Sequence, residues 1–234
     1  MSREAEQHEW YQRYYGKSGA GRNDLRINPE VLFQTLAAEA SLVRAMGSLD
    51  HNPQTARVLD VGCGGGGNIY QLLRMGYDPA LITGIEIQSE RLDGAKKLYP
   101  HIRWVDGDAT QMTFETGGFD LVFESTMFAT LPNDTVRSAI ASEMVRVCKP
   151  GGYLVLVDWR TPKPGDSNYK ALTQRELRKL FAIGRDTALA GVFKGALVPP
   201  VGRFLSKYAS WLYFPIAKLF PVLVGQVVYV LKKF

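Results

Sequence analysis

Residues 57–68 read R-V-L-D-V-G-C-G-G-G-G-N, and this stretch decides the fold. The apolar run Val58–Val61 predicts a short buried strand. The five glycines after it predict a sharp turn at which the backbone lies close to a ligand. Asp60 places a carboxylate at the mouth of this loop, where it would repel phosphate and attract a cation. Helical spacing of apolar residues resumes at Ile69. The stretch therefore predicts a strand–loop–helix unit that suits a ligand with an ammonium group.

The same loop also satisfies the dinucleotide pattern G-x-G-x-x-G at Gly62, Gly64 and Gly67. Glu86 follows 19 residues after the last of these glycines, near the place of a ribose-binding acid. Five glycines in six positions match many patterns, so the loop alone also allows a tight turn without a ligand. The motifs in the rest of the chain must distinguish between a dinucleotide, another ligand and no ligand.

Length and composition indicate a globular protein of one domain, or one domain with an appendage. The chain has 234 residues, of which 46% are hydrophobic and 22% charged. Cys63 and Cys148 form neither a disulfide framework nor a metal-ligand spacing, and the histidines have no metal-ligand company. We therefore expect a reducing compartment and no metal. The polar, acidic N-terminus shows no signal peptide, so we expect a cytoplasmic protein.

Charge is spread unevenly along the chain, whose net charge is +5. Residues 161–234 carry twelve Lys or Arg against three acids, and no acid follows Asp186. This asymmetry predicts that the C-terminal part meets an anionic partner, which would be a phosphorylated substrate, a membrane surface or nucleic acid. A solvated basic face without a partner is the open alternative.

Strands and helices alternate along the middle of the chain. Predicted strands lie at 57–61, 81–87, 102–105, 119–123 and 153–158, and predicted helices at 29–45, 67–76, 90–98 and 134–147. Ser89 and Asp134 are the predicted caps of the last two helices, and Thr173 to Glu176 is a capping box that opens a further short helix. This alternation predicts an α/β fold with a mostly parallel sheet covered on both faces.

Acidic residues follow five consecutive strands. They are Asp60, Glu86, Asp108, Glu124 and Asp158. The carboxyl ends of parallel strands meet at one edge of a sheet, so we expect these side chains on one rim. A carboxylate at the tip of the second strand suits two ribose hydroxyls, the one after the third strand suits the amine of adenine, and Asp60 suits an ammonium. Together they describe a nucleoside that bears an amino acid.

The motifs at these strand ends resemble those of class I S-adenosylmethionine-dependent methyltransferases over about residues 55–160. They are V-L-D-V-G-C-G-G-G, G-I-E-I, D-G-D-A, F-D-L-V-F-E-S and R-V-C-K-P-G-G-Y-L, in the order and spacing of that family. A dehydrogenase would explain only the first two. The resemblance implies a Rossmann-like, seven-stranded, mostly parallel sheet with helices on both faces, closed by an antiparallel C-terminal hairpin formed from residues 186–198 and 226–231.

The resemblance also implies S-adenosylmethionine as the cofactor. Its expected contacts are Tyr15, Arg22, Asp60, Gly62, Cys63, Gly64, Asn68, Glu86, Ile87, Asp108, Ala109, Glu124 and Ser125. Asp158 is the first candidate for a catalytic base and Glu124 the second. The candidate substrate contacts are Tyr14, Phe128 and Arg160. Arg160 could hold an anionic substrate or simply pair with Asp158.

The N-terminal residues 1–50 are predicted to form a helical lid or cap on a methyltransferase domain of residues 51–234, to which about 161–225 contribute substrate-side elements. Residues 10–26 mix aromatic and basic side chains and include a glycine-containing hinge at 16–21. An ordinary N-terminal helix that packs its aromatic side chains on the core is the equal alternative to a lid.

The C-terminal run 208–234 is open to three interpretations. A transmembrane helix is long enough, but Pro215, Lys218, Pro221 and Gly225 interrupt it. A soluble insertion would pack Trp211–Phe220 over the substrate pocket and continue into a last strand at 227–231. An interfacial patch would place aromatic and basic side chains at the inner face of an anionic membrane.

Motifs near both ends, including Y-Y-G-K, V-D-W-R and P-P-V-G-R-F-L, are similar to methyltransferases of bacterial surface-polysaccharide and glycolipid biosynthesis. We therefore expect methyl transfer, as O-methylation, to a small-molecule or glycan/lipid-linked acceptor. Two other classes stay open: a non-catalytic subunit that binds S-adenosylmethionine, and a nucleic-acid methyltransferase. The chain lacks the N/D-P-P-Y/F motif of many base-flipping enzymes, so no nucleic-acid partner is expected.

Overall fold

The computed structural model describes residue 9 and residues 25–131, 133–163, 165–166 and 169–234. Tyr14, Tyr15, Arg22 and the 16–21 hinge lie outside these residues. The division into a lid of residues 1–50 and a domain of residues 51–234 stays a prediction.

Within the described residues, a sheet of seven strands runs in the order β3-β2-β1-β4-β5-β7-β6. The strands are β1 (Val58–Val61), β2 (Ile82–Glu86), β3 (Arg103–Asp106), β4 (Phe119–Ser125), β5 (Cys148–Trp159), β6 (Thr187–Lys194) and β7 (Gln226–Lys233). Strands β1 to β5 pair in parallel, whereas β7 is antiparallel to both β5 and β6. This confirms the predicted Rossmann-like sheet with an antiparallel C-terminal pair.

Helices cover both faces of the sheet. They are α1 (Leu32–Met46), α2 (Ile69–Arg74), α3 (Ser89–Leu98), α4 (Asp134–Val147), α5 (Gln174–Leu180), α6 (Pro199–Tyr208) and α7 (Tyr213–Leu219). One core cluster joins α4 and α5 to one face, and another joins α1 and α2 to the other. Successive residues of β5 alternate between the two clusters, as expected for a strand buried on both sides.

Two predicted helix caps are wrong by one residue. Asn133, not Asp134, caps α4, because its Oδ1 accepts the backbone N–H groups of Thr135 and Val136 at 2.9 and 3.2 Å. Ser89 is the first residue of α3 and follows the N-cap Gln88, whose side chain makes no capping bond. The third predicted cap is confirmed, since the Thr173 hydroxyl accepts the N–H of Glu176 at 3.2 Å. An acidic or hydroxyl residue near the start of a helix therefore predicts where the helix begins. It does not predict which side chain caps the helix.

The antiparallel pair fixes where residues 195–225 lie. Trp159, at the carboxyl end of β5, pairs with Gln226, and Lys194 at the end of β6 pairs with Val227. The segment between β6 and β7 therefore leaves and returns at the carboxyl edge of the parallel strands. The predicted insertion followed by a last strand is confirmed to this extent.

This insertion folds against α1 as a cap with its own apolar cluster, which includes Ala37, Leu205 and Tyr213. The Gln34 amide donates to the Leu197 carbonyl at 3.0 Å, and the Tyr213 hydroxyl accepts the Leu197 N–H at 3.1 Å. No helix within the described ranges combines the length and apolarity that crossing a bilayer requires.

The cap of α4 provides a test of the fold. Replacing Asn133 with Ala should lower the free energy of unfolding by about 1 kcal/mol, because two N–H groups lose their acceptor. Asp134→Ala is the matched control: its side chain is exposed and only pairs with Lys170, so the loss should be smaller. Urea unfolding of both variants measures the difference, and a larger loss for Asp134→Ala would contradict the assignment.

Candidate functional site

The loop after β1 is tied to the end of β2 by its own backbone. The N–H groups of Gly62 and Cys63 both donate to the Ile85 carbonyl, at 2.9 and 3.1 Å. The N–H of Gly64 donates to Oε2 of Glu86 at 2.9 Å. The first three amides of the loop are therefore used within the protein, and carboxylates rather than amides characterise this side of the site.

The glycines of the loop are required by backbone conformation and by close neighbours. Gly62 and Gly64 have φ angles of 66° and 55°, in the left-handed region that favours glycine. A Cβ atom at Gly62 would lie 2.8 Å from Sδ of Met127, and one at Gly64 would lie 2.1 Å from Nη2 of Arg91. Met127 and Arg91 thus cover the loop, although sequence reasoning assigned neither to the site because no motif marks them.

Asp60 lies at the centre of the sheet and has no exposed surface. Nδ2 of Asn68 lies 3.2 and 3.3 Å from its two carboxylate oxygens. Burial raises the pKa of Asp60 to about 7, although the bond from Asn68 lowers it and the charge of Glu86 raises it further. Asp60 and Asn68, two of the predicted cofactor contacts, are therefore hydrogen-bonded to each other, and their contact with the cofactor stays a prediction.

Glu86, at the tip of β2, is held by three backbone N–H groups. Oε2 accepts that of Gly64, and Oε1 accepts those of Ile87 and Gln88 at 3.0 and 3.1 Å. The Arg91 guanidinium lies 3.7 Å from Oε2. The carboxylate is therefore fixed in one orientation, while each oxygen keeps lone pairs for further donors such as ribose hydroxyls.

Glu124 and Asp158 form a second pair of buried carboxylates where β4 and β5 end. Oε2 of Glu124 accepts the Met127 N–H at 3.0 Å, but Oε1 has no hydrogen-bond partner among the residues that the structure describes. Asp158 accepts the N–H groups of Ala129 and Trp159 at 2.9 and 2.7 Å. Burial raises the pKa of both groups, and the Asp158 charge raises that of Glu124 further. An orphaned buried oxygen at this point fits a ligand that brings a donor or a cation.

The backbone after β4 is strained beside this pair. Thr126 has a φ angle of 61°, a conformation uncommon for a β-branched residue. Its N–H donates to the Val157 carbonyl at 2.7 Å, which ties the turn to β5. Strain of this kind clusters at functional sites.

Buried charges at this edge do not balance. The fully buried side chain of Arg137 donates to the Lys170 carbonyl at 3.1 Å and lies 3.9 Å from Oε2 of Glu176. Within the described residues, the buried charged side chains are Asp60, Glu86, Glu124, Asp158 and Arg137. Glu86 also lies 3.7 Å from the partly exposed guanidinium of Arg91. The four carboxylates still outnumber these two guanidinium groups, and the excess of acid is stabilised by protonation or by a cationic ligand.

Asp108 follows β3 at the same edge. Its Oδ1 accepts the backbone N–H and the hydroxyl of Thr110 at 2.8 and 2.7 Å. The N–H of Gly107 donates to the Glu86 carbonyl at 3.0 Å, so the turn is joined to β2. The remaining predicted cofactor contacts, Ile87, Ala109 and Ser125, are half-buried at the ends of β2 to β4.

The structure places two of the predicted substrate contacts, Arg160 and Phe128, in contacts within the protein. Arg160 donates through Nε to the Val224 carbonyl at 2.8 Å and through Nη2 to the Pro221 carbonyl, so these carbonyls take the place of the alternative partner Asp158. Its contact with a substrate stays a prediction. Arg160 instead ties β5 to the returning end of the insertion. The ring of Phe128 is fully buried, 5.5 Å from that of Phe181, and cannot contact a substrate in this conformation.

Comparison with known proteins agrees with this geometry. A family model described as a methyltransferase domain matches residues 58–152. The chain is similar to 2-methyl-6-phytyl-1,4-hydroquinone methyltransferase of Synechocystis, with 34% identity over 139 residues, 56% of this chain and 42% of that protein. It is also similar to phthiotriol/phenolphthiotriol dimycocerosates methyltransferase 1 of Mycobacterium ulcerans, with 33% identity over 173 residues, 65% of this chain and 62% of that protein. The chain thus spans 42% and 62% of the length of these relatives.

Solved structures share the fold. Geranyl diphosphate C-methyltransferase of Streptomyces coelicolor A3(2) superposes with a TM-score of 0.62 at 15% identity, covering 83% of this chain and 77% of that one. A protein of Pyrococcus horikoshii OT3 superposes with a TM-score of 0.63 at 15% identity, covering 96% and 98%.

The sheet topology and the match of residues 58–152 to a methyltransferase domain indicate S-adenosylmethionine as the cofactor. The residues present fit that cofactor on three counts. Gly62 and Gly64 adopt left-handed backbone with close neighbours, the carboxylate at the tip of β2 is fixed, and buried acid is in excess with one orphaned oxygen.

The raised pKa of Asp60 predicts a pH dependence of stability. Because the folded state binds this proton more tightly than the unfolded one, the stabilisation is fully present below about pH 4 and is lost as pH rises through about 7. The ligand-free protein should therefore lose unfolding free energy between about pH 4 and pH 7, by up to a few kcal/mol at about 1.4 kcal/mol per pKa unit.

Asp60→Asn should reduce the slope of this pH dependence in urea unfolding, because one buried titrating carboxyl is gone. Glu124 and Asp158, whose pKa values are also raised, contribute the rest of the slope. Asp93→Asn is the control, since its side chain is exposed on α3. A variant Asp60→Asn with the slope of the wild type would contradict the assignment.

Proposed function

We propose that this protein transfers a methyl group from S-adenosylmethionine to a lipid-type or lipid-linked acceptor, most simply as O-methylation. The observation that carries the proposal is the apolar insertion of residues 195–225 at the edge of the sheet that holds the buried carboxylates. This insertion contains no acidic residue, and its helices expose aromatic side chains such as Phe204 and Trp211. Such a cap suits an apolar acceptor better than a polar one.

The names of relatives support an apolar acceptor. The two relatives described above act, by name, on a phytyl-hydroquinone and on phthiotriol dimycocerosates, and another is a fatty-acid O-methyltransferase of Mycolicibacterium smegmatis. The proposal includes a lipid-linked glycan because of the motifs similar to those of surface-polysaccharide enzymes. It places the enzyme in the cytoplasm at the inner face of a membrane.

The cofactor supplies a methyl group on a sulfonium, and the protein supplies position and environment. In our proposal Glu86 accepts the ribose hydroxyls and Asp108 faces the adenine. Asp60 and Glu124 face the cationic part, because they are buried with too little positive charge around them. Aligning the acceptor with the methyl carbon while excluding water can lower the barrier by about 7–11 kcal/mol.

A base is needed only for some acceptors. A carboxylate acceptor needs none, whereas a hydroxyl acceptor benefits from one. Both oxygens of Asp158 accept backbone N–H groups in this conformation, so it positions the 128–130 turn. Its catalytic role stays a prediction, as do the lid contacts of Tyr14, Tyr15 and Arg22.

Methyl transfer can be measured with S-adenosylmethionine labelled in its methyl group. The acceptors would be a long-chain fatty acid, a prenylated hydroquinone, a lipid-linked glycan and an oligonucleotide. We expect label in the extracted lipid fraction and none in the oligonucleotide.

Glu86→Gln should raise the KM for the cofactor at least about tenfold, because an amide cannot accept all three N–H groups. Glu115→Gln, at an exposed loop position, is the control.

Two outcomes of this assay would count against the proposal. Label in the oligonucleotide would identify a nucleic-acid methyltransferase. Cofactor binding without transfer to any of the acceptors would instead favour the non-catalytic subunit.

A further inference from the structure

An apolar groove runs between α6 and α7 on the outer side of the cap. Its volume is 530 Å³, and its walls include Val201 and Phe204 from α6 with Ile216 and Phe220 from the second half of the insertion. The groove lies outside the carboxylate site, because none of the buried acids lines it. The groove is therefore separate from the carboxylate site, and the proposed methyl transfer assigns no role to it.

Large apolar side chains around this groove extend into solvent. Phe204 is 60% exposed, and its ring lies 5.2 Å from that of Tyr208, one helical turn further on. Trp211 and Val222 are each 76% exposed. Side chains of this size, clustered in one short segment and left in water, are typical of an interaction surface rather than of a solvated one.

The charge of the same segment is of one sign. Residues 195–225 contain Arg203, Lys207 and Lys218 and no acid. The ammonium of Lys207 lies 5.3 Å from the centre of the Tyr208 ring, which places a cation beside an aromatic side chain at the rim of the groove. Exposed aromatic and aliphatic side chains with basic neighbours match the chemistry of an anionic lipid surface.

The insertion that carries this surface joins the sheet at the edge where the buried carboxylates lie. The insertion leaves β6 at Lys194 and returns to β7 at Gln226, at the edge where the carboxylates lie. Arg160 joins the end of β5 to the returning segment through the Val224 carbonyl. The segment that carries α6 and α7 is therefore anchored at the same edge of the sheet as the buried carboxylates.

We propose that the groove and the exposed side chains around it dock the enzyme on an anionic lipid bilayer, with Phe204, Phe220 and Trp211 in the interfacial region and Lys207 and Lys218 against the headgroups. A second copy of the chain matches the surface less well, because its own basic segment would meet like charge. The inference deepens the proposed function and rests on it for the role of docking, but the binding itself is measured without turnover.

The test is flotation of the full chain with vesicles of phosphatidylcholine alone and of phosphatidylcholine with phosphatidylglycerol. We expect binding to the anionic vesicles at least about tenfold tighter than to the neutral ones, and weaker in high salt. Phe204→Ser with Phe220→Ser should reduce this binding about tenfold or more, because two side chains lose their apolar contact with the interface. Lys207→Glu with Lys218→Glu should abolish the preference for anionic lipid.

The matched control combines Leu98→Ser with Lys97→Glu. Leu98 is 69% exposed at the end of α3, which joins β2 to β3 at the other end of the sheet from β6. This double variant should float like the wild type. Thermal unfolding and S-adenosylhomocysteine binding of every variant show that the fold is intact, so that a docking defect is distinguished from misfolding.

Three outcomes would overturn the inference: no flotation with either vesicle, equal binding to both, or control variants that lose binding as strongly as the groove variants. Dimerisation in light scattering that Phe204→Ser with Phe220→Ser removes would assign the surface to a second copy instead. If the wild-type protein floats with anionic vesicles but does not bind S-adenosylhomocysteine, the proposed function is rejected and the docking surface is retained.

Discussion

The burial of carboxylates without matching positive charge is the constraint on which this structure depends. Asp60, Glu124 and Asp158 have no exposed surface, and Arg137 is the buried cation that faces them within the described residues. Burying an ionised group costs several kcal/mol unless it is paired, so such a cluster is costly for folding alone. A cationic ligand offsets this cost, which makes the cofactor part of the electrostatic balance of the fold.

The architecture around this cluster serves to hold it in place. The glycine loop is bonded to β2 through Ile85 and Glu86, and the turn after β4 is bonded to Asp158 and Val157. Because β7 is antiparallel to both β5 and β6, the connection between β6 and β7 begins and ends at this same edge, and it carries the apolar cap. The acids and the cap are thus placed together by strand order, not by proximity in sequence.

Much of this was predictable from the sequence, for a physical reason. Parallel strands bring their carboxyl ends to one edge, so acids that follow successive strands meet there, and the antiparallel pair follows from the family resemblance. Individual side-chain partners were not predictable. Arg160 binds carbonyls 61 and 64 residues away, and Arg91 and Met127 cover the glycine loop without any motif to mark them. Asn133 and Asp134 are both residue types that cap helices, so the sequence did not show which of the two is the cap.

The central claim is that this acidic edge binds a nucleoside that carries an amino acid and not a pyrophosphate. Calorimetric titration with S-adenosylhomocysteine, run beside NAD on the same sample, tests it most directly. The account predicts binding of the first with a Kd on the order of micromolar, about −8 kcal/mol, and none of the second. Binding of NAD without binding of S-adenosylhomocysteine would contradict it.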